Sequence, residues 1–186
     1  MKTIVLLILL MTSQWTFAQT TCLSEGEKQL YDLIMAYRKT KKLGPIPYSE
    51  KLTRVAQAHV RDLTDYFDKD NDTGCNPHSW SKNGNWKPCC YTSDHKEAEC
   101  MWTKPKEIAG YTGEGYEIAF YSSAGAQPFE SLEGWKQSAG HNPLLINSGI
   151  WQKVQWKAIG IGIYRNYSVV WFGATEDSSV IQNCDN

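Results

Sequence analysis

Several catalytic signatures are missing from this 186-residue sequence. It contains no G-x-S-x-G, no H-E-x-x-H, no G-x-x-x-x-G-K-[S/T] and no G-x-G-x-x-G. These absences argue against an elbow serine hydrolase, a helix-borne zinc peptidase, a P-loop nucleotide hydrolase and a dinucleotide-binding oxidoreductase. There is no C-x-x-C either, and only four histidines are present. No basic excess exists: 19 Lys and Arg face 20 Asp and Glu, for a net charge of −1. Nucleic acid is therefore not an expected partner. Beyond the first residues, no apolar run approaches the length that spans a bilayer, so no transmembrane segment is expected. Internal repeats, low-complexity tracts and linkers are also absent, and the length suits one domain with a substantial core.

The apolar run that does exist stands at the start. Lys2 is followed by an unbroken hydrophobic stretch from Ile4 to Leu10, and Thr16-Phe17-Ala18 precedes Gln19. This pattern reads as a secretory signal peptide over residues 1–18, leaving a secreted, extracellular chain of residues 19–186. Without residues 1–18, eighteen basic side chains face twenty acidic ones, a net −2. Six cysteines remain: Cys22, Cys75, Cys89, Cys90, Cys100 and Cys184. An even count in an oxidising compartment reads as three disulfides, for which 15 pairings exist. A staple from Cys22 to Cys184 plus two bridges within the 75–100 cluster is the expected arrangement. The rival is a zinc knuckle that combines those four cysteines with His78 or His95.

Residues 24–41 carry a helical pattern, with Leu30, Leu33, Ile34 and Tyr37 at helical spacing and a Ser24/Glu27 capping box. Gly44-Pro45-Ile46-Pro47 interrupts the chain. A second helix over about 50–66 follows Ser49 as its cap, with Leu52, Val55, Ala56, His59, Val60 and Leu63 as its apolar stripe. A histidine on such a stripe is expected to be buried and bonded to a backbone group. Residues 67–107 read as an irregular, cysteine-rich loop, and Asp68, Asp70 and Asp72 as a solvated run lacking EF-hand spacing. Asn71 and Asn166 lie in glycosylation sequons. A strand is expected at 116–121 and a helix at 128–138, with Asn142-Pro143 stopping regular structure. The end reads as a hairpin turning at Arg165-Asn166. In its first strand Ile159, Ile161 and Ile163 share one face. Gly160 and Gly162 share the other, where something must pack closely.

The chemistry-bearing residues left over are Glu117, Glu130 and His141, at the ends of short expected elements, and His78, in a loop-like stretch upstream. Two imidazoles and two carboxylates could hold a divalent metal such as zinc, with a water in an open position, or act as acid/base pairs.

These segments resemble, in order, the cysteine-rich secretory protein, antigen 5 and pathogenesis-related (CAP, or SCP) superfamily. GPIPYSEKLTRVAQAHVRDL is similar to its opening helices, NPHSWS to its first histidine loop, GYEIA to its G-E-N-I-A strand, PFESLEGW to its glutamate helix, SAGHNPLLIN to its second histidine segment, and WKAIGIGIY…YSVVWFG to its closing strands. The likeness covers about residues 25–175. It implies an α+β fold, an α-β-α sandwich with a small, mainly antiparallel sheet between helices. It also implies a cleft with His78 and His141 as metal ligands and Glu117 and Glu130 beside them. The family glutamate directly follows glycine; here Tyr116 does, so Glu114 is the alternative to Glu117. Ile150 stands where the family spacing before Trp156 would put a histidine. The expected function is a non-enzymatic extracellular binding, defence or signalling module whose partner is an unidentified extracellular protein or a lipid or sterol. A metal-dependent hydrolase and a lipid or sterol carrier are the alternatives. For the carrier, Leu144 to Trp151 together with Trp80, Trp86 and Trp102 would line the groove.

Overall fold

A computed structural model describes residues 21–68, 70 and 74–184. The expected signal peptide, Asn71 and Asp72 lie outside the described residues.

Helix α1 (Glu25–Thr40) starts at the capping box: Ser24 Oγ accepts from the Glu27 amide, and the Glu27 carboxylate accepts from the Ser24 amide. Its buried stripe includes Leu30 and Ile34. Near its end Arg38 is buried as well, and its guanidinium donates to the carbonyls of Gly44 and Leu145 and to Asn147 Oδ1. Helix α2 (Glu50–Tyr66) is capped by Ser49, whose Oγ accepts from the Leu52 amide at 3.0 Å. Every member of its expected stripe, His59 included, is buried.

Three strands form one antiparallel sheet in the order β1 (Gly115–Tyr121), β3 (Tyr167–Gly173), β2 (Ala158–Tyr164). Glu117 and Gly160 both pair with Trp171, so the three share one face. Alternation then separates two cores. Ile118, Ile159, Ile161, Val170 and Phe172 pack with α1 and with α5 (Pro128–Gln137) and α6 (Asn142–Leu145). On the opposite face Ala158, Val169 and Trp171 pack with α2 and the cysteine-rich segment. The result is the three-layer α-β-α sandwich.

The alternating glycines of β2 bring α2 onto the sheet. A Cβ on Gly160 would lie 2.0 Å from the Leu52 carbonyl carbon, and one on Gly162 would lie 2.5 Å from that of Ala56. The helix backbone therefore rests directly on the strand, closer than any side chain permits.

Two expectations are corrected. The 67–107 segment is not irregular throughout: it contains α3 (Ala98–Trp102) and the start of α4 (Lys104–Ala109), which ends at Gly110 with φ +65°. Asn142-Pro143 begins the short α6 rather than ending structure, because proline suits a first helical turn. The disulfides are Cys22–Cys184, Cys75–Cys90 and Cys89–Cys100, so the four middle cysteines are paired and the zinc knuckle is excluded. Among the described residues, no helix is long and apolar enough to cross a membrane.

Candidate functional site

Glu117 sits where the sheet meets α2. Its position in β1 turns the side chain toward α2 and buries it. One carboxylate oxygen meets His59 Nδ1 in a short contact, and the other lies 2.7 Å from His78 Nδ1. The far nitrogen of His59, Nε2, lies 2.9 Å from the Ser79 carbonyl. That carbonyl can only accept, so His59 Nε2 carries a proton. The contact between His59 Nδ1 and Glu117 then holds one further proton between ring and carboxylate. Burial pushes the Glu117 carboxyl up, but His59 and His78 together outweigh it and hold the group below the usual carboxylate range. An ionised Glu117 accepts from His78 Nδ1, which leaves His78 Nε2 for other partners.

His141 completes the group. It lies at the start of α6, and its ring centroid is 6.3 Å from that of His78. Burial, reinforced by His78, lowers its pKa to about 4, so it is neutral at neutral pH. His78, Glu117 and His141 line one cavity of about 570 Å³ whose other walls include Tyr91, Trp102, Tyr116, Leu144 and Trp151. Asn76, Ser93 and His95 add further polar groups to a mostly aromatic and aliphatic wall. The Tyr91 hydroxyl lies 2.8 Å from Nδ1 of His95, which lines the same cavity.

Of the four residues singled out from sequence, three converge. Glu130 does not: α5 turns Pro128, Ser131, Leu132 and Trp135 inward, and helical periodicity leaves Glu130 exposed on the outer side, away from this cavity's lining. Glu114 is exposed and accepts from the Tyr116 hydroxyl, so Glu117 is the carboxylate of the cleft. Ile150 stands 86% exposed on the cavity rim. His59 has the expected backbone bond, but it also grips Glu117. Its place on the stripe of α2 signalled burial, and nothing in that stripe revealed the carboxylate it would meet. Trp102, Leu144 and Trp151 line the cavity as expected for a groove. Trp80 and Trp86 do not: Trp80 stacks on His59 at 4.0 Å, and Trp86 packs edge-on against Trp80.

The donor set bears on metal binding. Both Glu117 oxygens are engaged; of the three imidazoles lining the cavity, His95 has its Nδ1 engaged with the Tyr91 hydroxyl, which leaves His78 and His141 as the approaching pair. Among the described residues, no group of three or more His, Cys, Asp or Glu side chains is arranged to hold a metal ion. These residues do not fit a resident catalytic zinc, which takes three protein ligands. They offer an open two-donor site at most.

A profile of the cysteine-rich secretory protein family matches residues 31–172. The chain belongs to this CAP family. Solved structures share the CAP fold at low identity. An extracellular SCP-domain protein from Bacillus anthracis str. Ames is 20% identical with a TM-score of 0.52, over 80% of this chain and 40% of its own. A cysteine-rich secretory protein from Staphylococcus aureus subsp. aureus Mu50 is 15% identical with a TM-score of 0.54, over 81% of this chain and 38% of its own. An outer surface protein from Borrelia burgdorferi is 18% identical with a TM-score of 0.53, over 80% of this chain and 92% of its own. The chain thus spans about two fifths of the first two. A search of curated proteins found no significant match.

Proposed function

We propose that this CAP protein is a secreted, non-enzymatic binding module whose central cleft takes a largely apolar ligand with one hydrogen-bonding end. A single observation carries the reading: a cavity of about 570 Å³ with largely aromatic and aliphatic walls holds the joined cluster His78, Glu117 and His141 among its lining residues. Volume and lining match small-molecule sites. With His141 neutral and His78 already held by Glu117, the polar patch suits an alcohol or amide better than an anion. A lipid or sterol fits this description. The metal-dependent hydrolase is disfavoured, because Glu117 has no oxygen free to activate water and the third ligand is lacking.

The test is titration of the disulfide-intact protein with a fluorescent sterol and a fluorescent fatty acid. Saturable binding of the sterol at one site, weakened about tenfold by Leu144→Glu, is the expected result; a loss of that size corresponds to about 1.4 kcal/mol. Unsaturable binding, or binding that Leu144→Glu leaves intact, would overturn the reading.

A divalent cation at His78 and His141 is the second reading, favoured by the approach of the two rings. Zinc calorimetry on the protein and on a His78→Ala, His141→Ala double variant decides it. Binding only in the parent supports the reading, and equal heats in both refute it.

A further inference from the structure

A second cavity, of about 780 Å³, shares no lining residue with the histidine cleft. It is walled by the outer flank of α2, the end of β2, the entry to α1 and the Cys22–Cys184 disulfide. The α2 wall comprises the stripe Arg54, Gln57, Ala58 and Arg61, with buried Val60 beside it; positions i, i+3, i+4 and i+7 share one helical face. Arg54 and Arg61 therefore stand two turns apart, a rise of about 10 Å.

The floor is closed to ligands. The Glu27 carboxylate is 3% exposed and accepts from the Ser24 amide and hydroxyl, from Gln57 Nε2 and from the Ile163 amide. These neutral donors occupy both of its oxygens. The groups left open are guanidiniums. Arg61 stands 5.0 Å from the centre of the ring of Tyr164, a lining residue, and Arg165, which follows Tyr164 in the hairpin turn but is not itself in the lining, stands 5.2 Å from the same centre. Among the described residues neither makes an ion pair with a carboxylate. Arg54 donates from Nε to the Thr21 hydroxyl at 3.5 Å and pairs with Glu50 at 3.1 Å, an exposed i,i+4 ion pair of the kind that contributes a few tenths of a kcal/mol and exchanges readily.

We propose that this groove binds a linear sulfated glycan. Guanidinium forks match the oxygens of sulfate bidentately and give up hydration more readily than ammonium groups. Arginines strung along a groove, rather than converging on one point, suit charges repeated along a chain better than a lone anion. The patch is local: the whole chain carries a net charge of −1, so general attraction to polyanions is weak.

The experiment is calorimetry of the disulfide-intact protein with a defined, highly sulfated heparin-type oligosaccharide at low and at physiological salt. The variants are Arg61→Ala with Arg165→Ala, and Arg54→Ala. A control variant, Lys39→Ala with Lys153→Ala, removes two exposed cations elsewhere. Circular dichroism verifies that all variants are folded, as expected for exposed positions. The expected result is salt-sensitive binding that falls at least about tenfold for each guanidinium removed. Binding should be unchanged in the lysine control and absent with the unsulfated oligosaccharide. No binding at low salt would overturn the proposal. So would an equal loss in the lysine control, or binding of inorganic polyphosphate as tight as that of the glycan.

Discussion

Replacing Glu117 tests the centre of the cleft directly. The side chain is buried and bridges His59 to His78, and the fully buried His59 cannot turn to water. Glu117→Ala removes two bonds to a charged acceptor, each worth about 1.5–3 kcal/mol, and strands the Nδ1 of a fully buried imidazole. The summed cost is about 4 kcal/mol, in the range seen when one member of a buried charged pair is deleted. Glu117→Gln should be much milder. Its amide oxygen can accept from His78. Its amide NH₂ can donate to His59 Nδ1, because His59 keeps its own proton on Nε2 for the Ser79 carbonyl. Only the charge assistance is lost, about 1–2 kcal/mol. For a chain of this length, 1 kcal/mol corresponds to about 2–4 °C in Tm. The alanine variant should therefore melt about 8–16 °C below the parent and the glutamine variant about 2–8 °C below. Calorimetric melting at pH 7 with disulfides intact reads this out. An alanine variant within 2 °C of the parent, or a glutamine variant as damaged as the alanine one, would refute the proton assignment and the bridging role together.

Two more outcomes follow from the same geometry. Gly160→Ala forces a Cβ onto the backbone of α2, so it should destabilise by about 3 kcal/mol, whereas Gly44→Ala, with open space around it, should stay within about 0.5 kcal/mol; urea denaturation compares them. Stability should also decline on acidification from about pH 6.5 to 4. His141 is protonated in the unfolded chain over that window but not in the folded one. Partial exposure reduces the effect to about 1–2 kcal/mol. Glu117, whose pKa is depressed, adds a further loss as pH falls through its folded value. A His141→Asn variant should show a flatter profile between pH 6.5 and 4, and an unchanged slope would contradict the assignment.

Local chemistry was legible from the sequence wherever a residue's role depends on its near neighbours. The Ser24 and Ser49 caps, the stripe of α2, the β2–β3 hairpin and its glycine face are all fixed by spacings of a few residues, because helical and strand periodicities act over that range. The likeness in segment order extended this to the sandwich and to His78, Glu117 and His141. Residues far apart in the chain were a different matter. Glu130 carries the right functional group, but burial of Ser131, Leu132 and Trp135 sets the rotation of α5 and turns it to solvent. His59 reads as an ordinary core histidine until β1 is laid against α2. Only then does Glu117, 58 residues later, arrive at its Nδ1. The approach of α2 to β2, permitted by Gly160 and Gly162, sets that meeting. Periodicity thus determined which side chains turn inward, while packing between distant elements decided which of them touch and so where the protons lie.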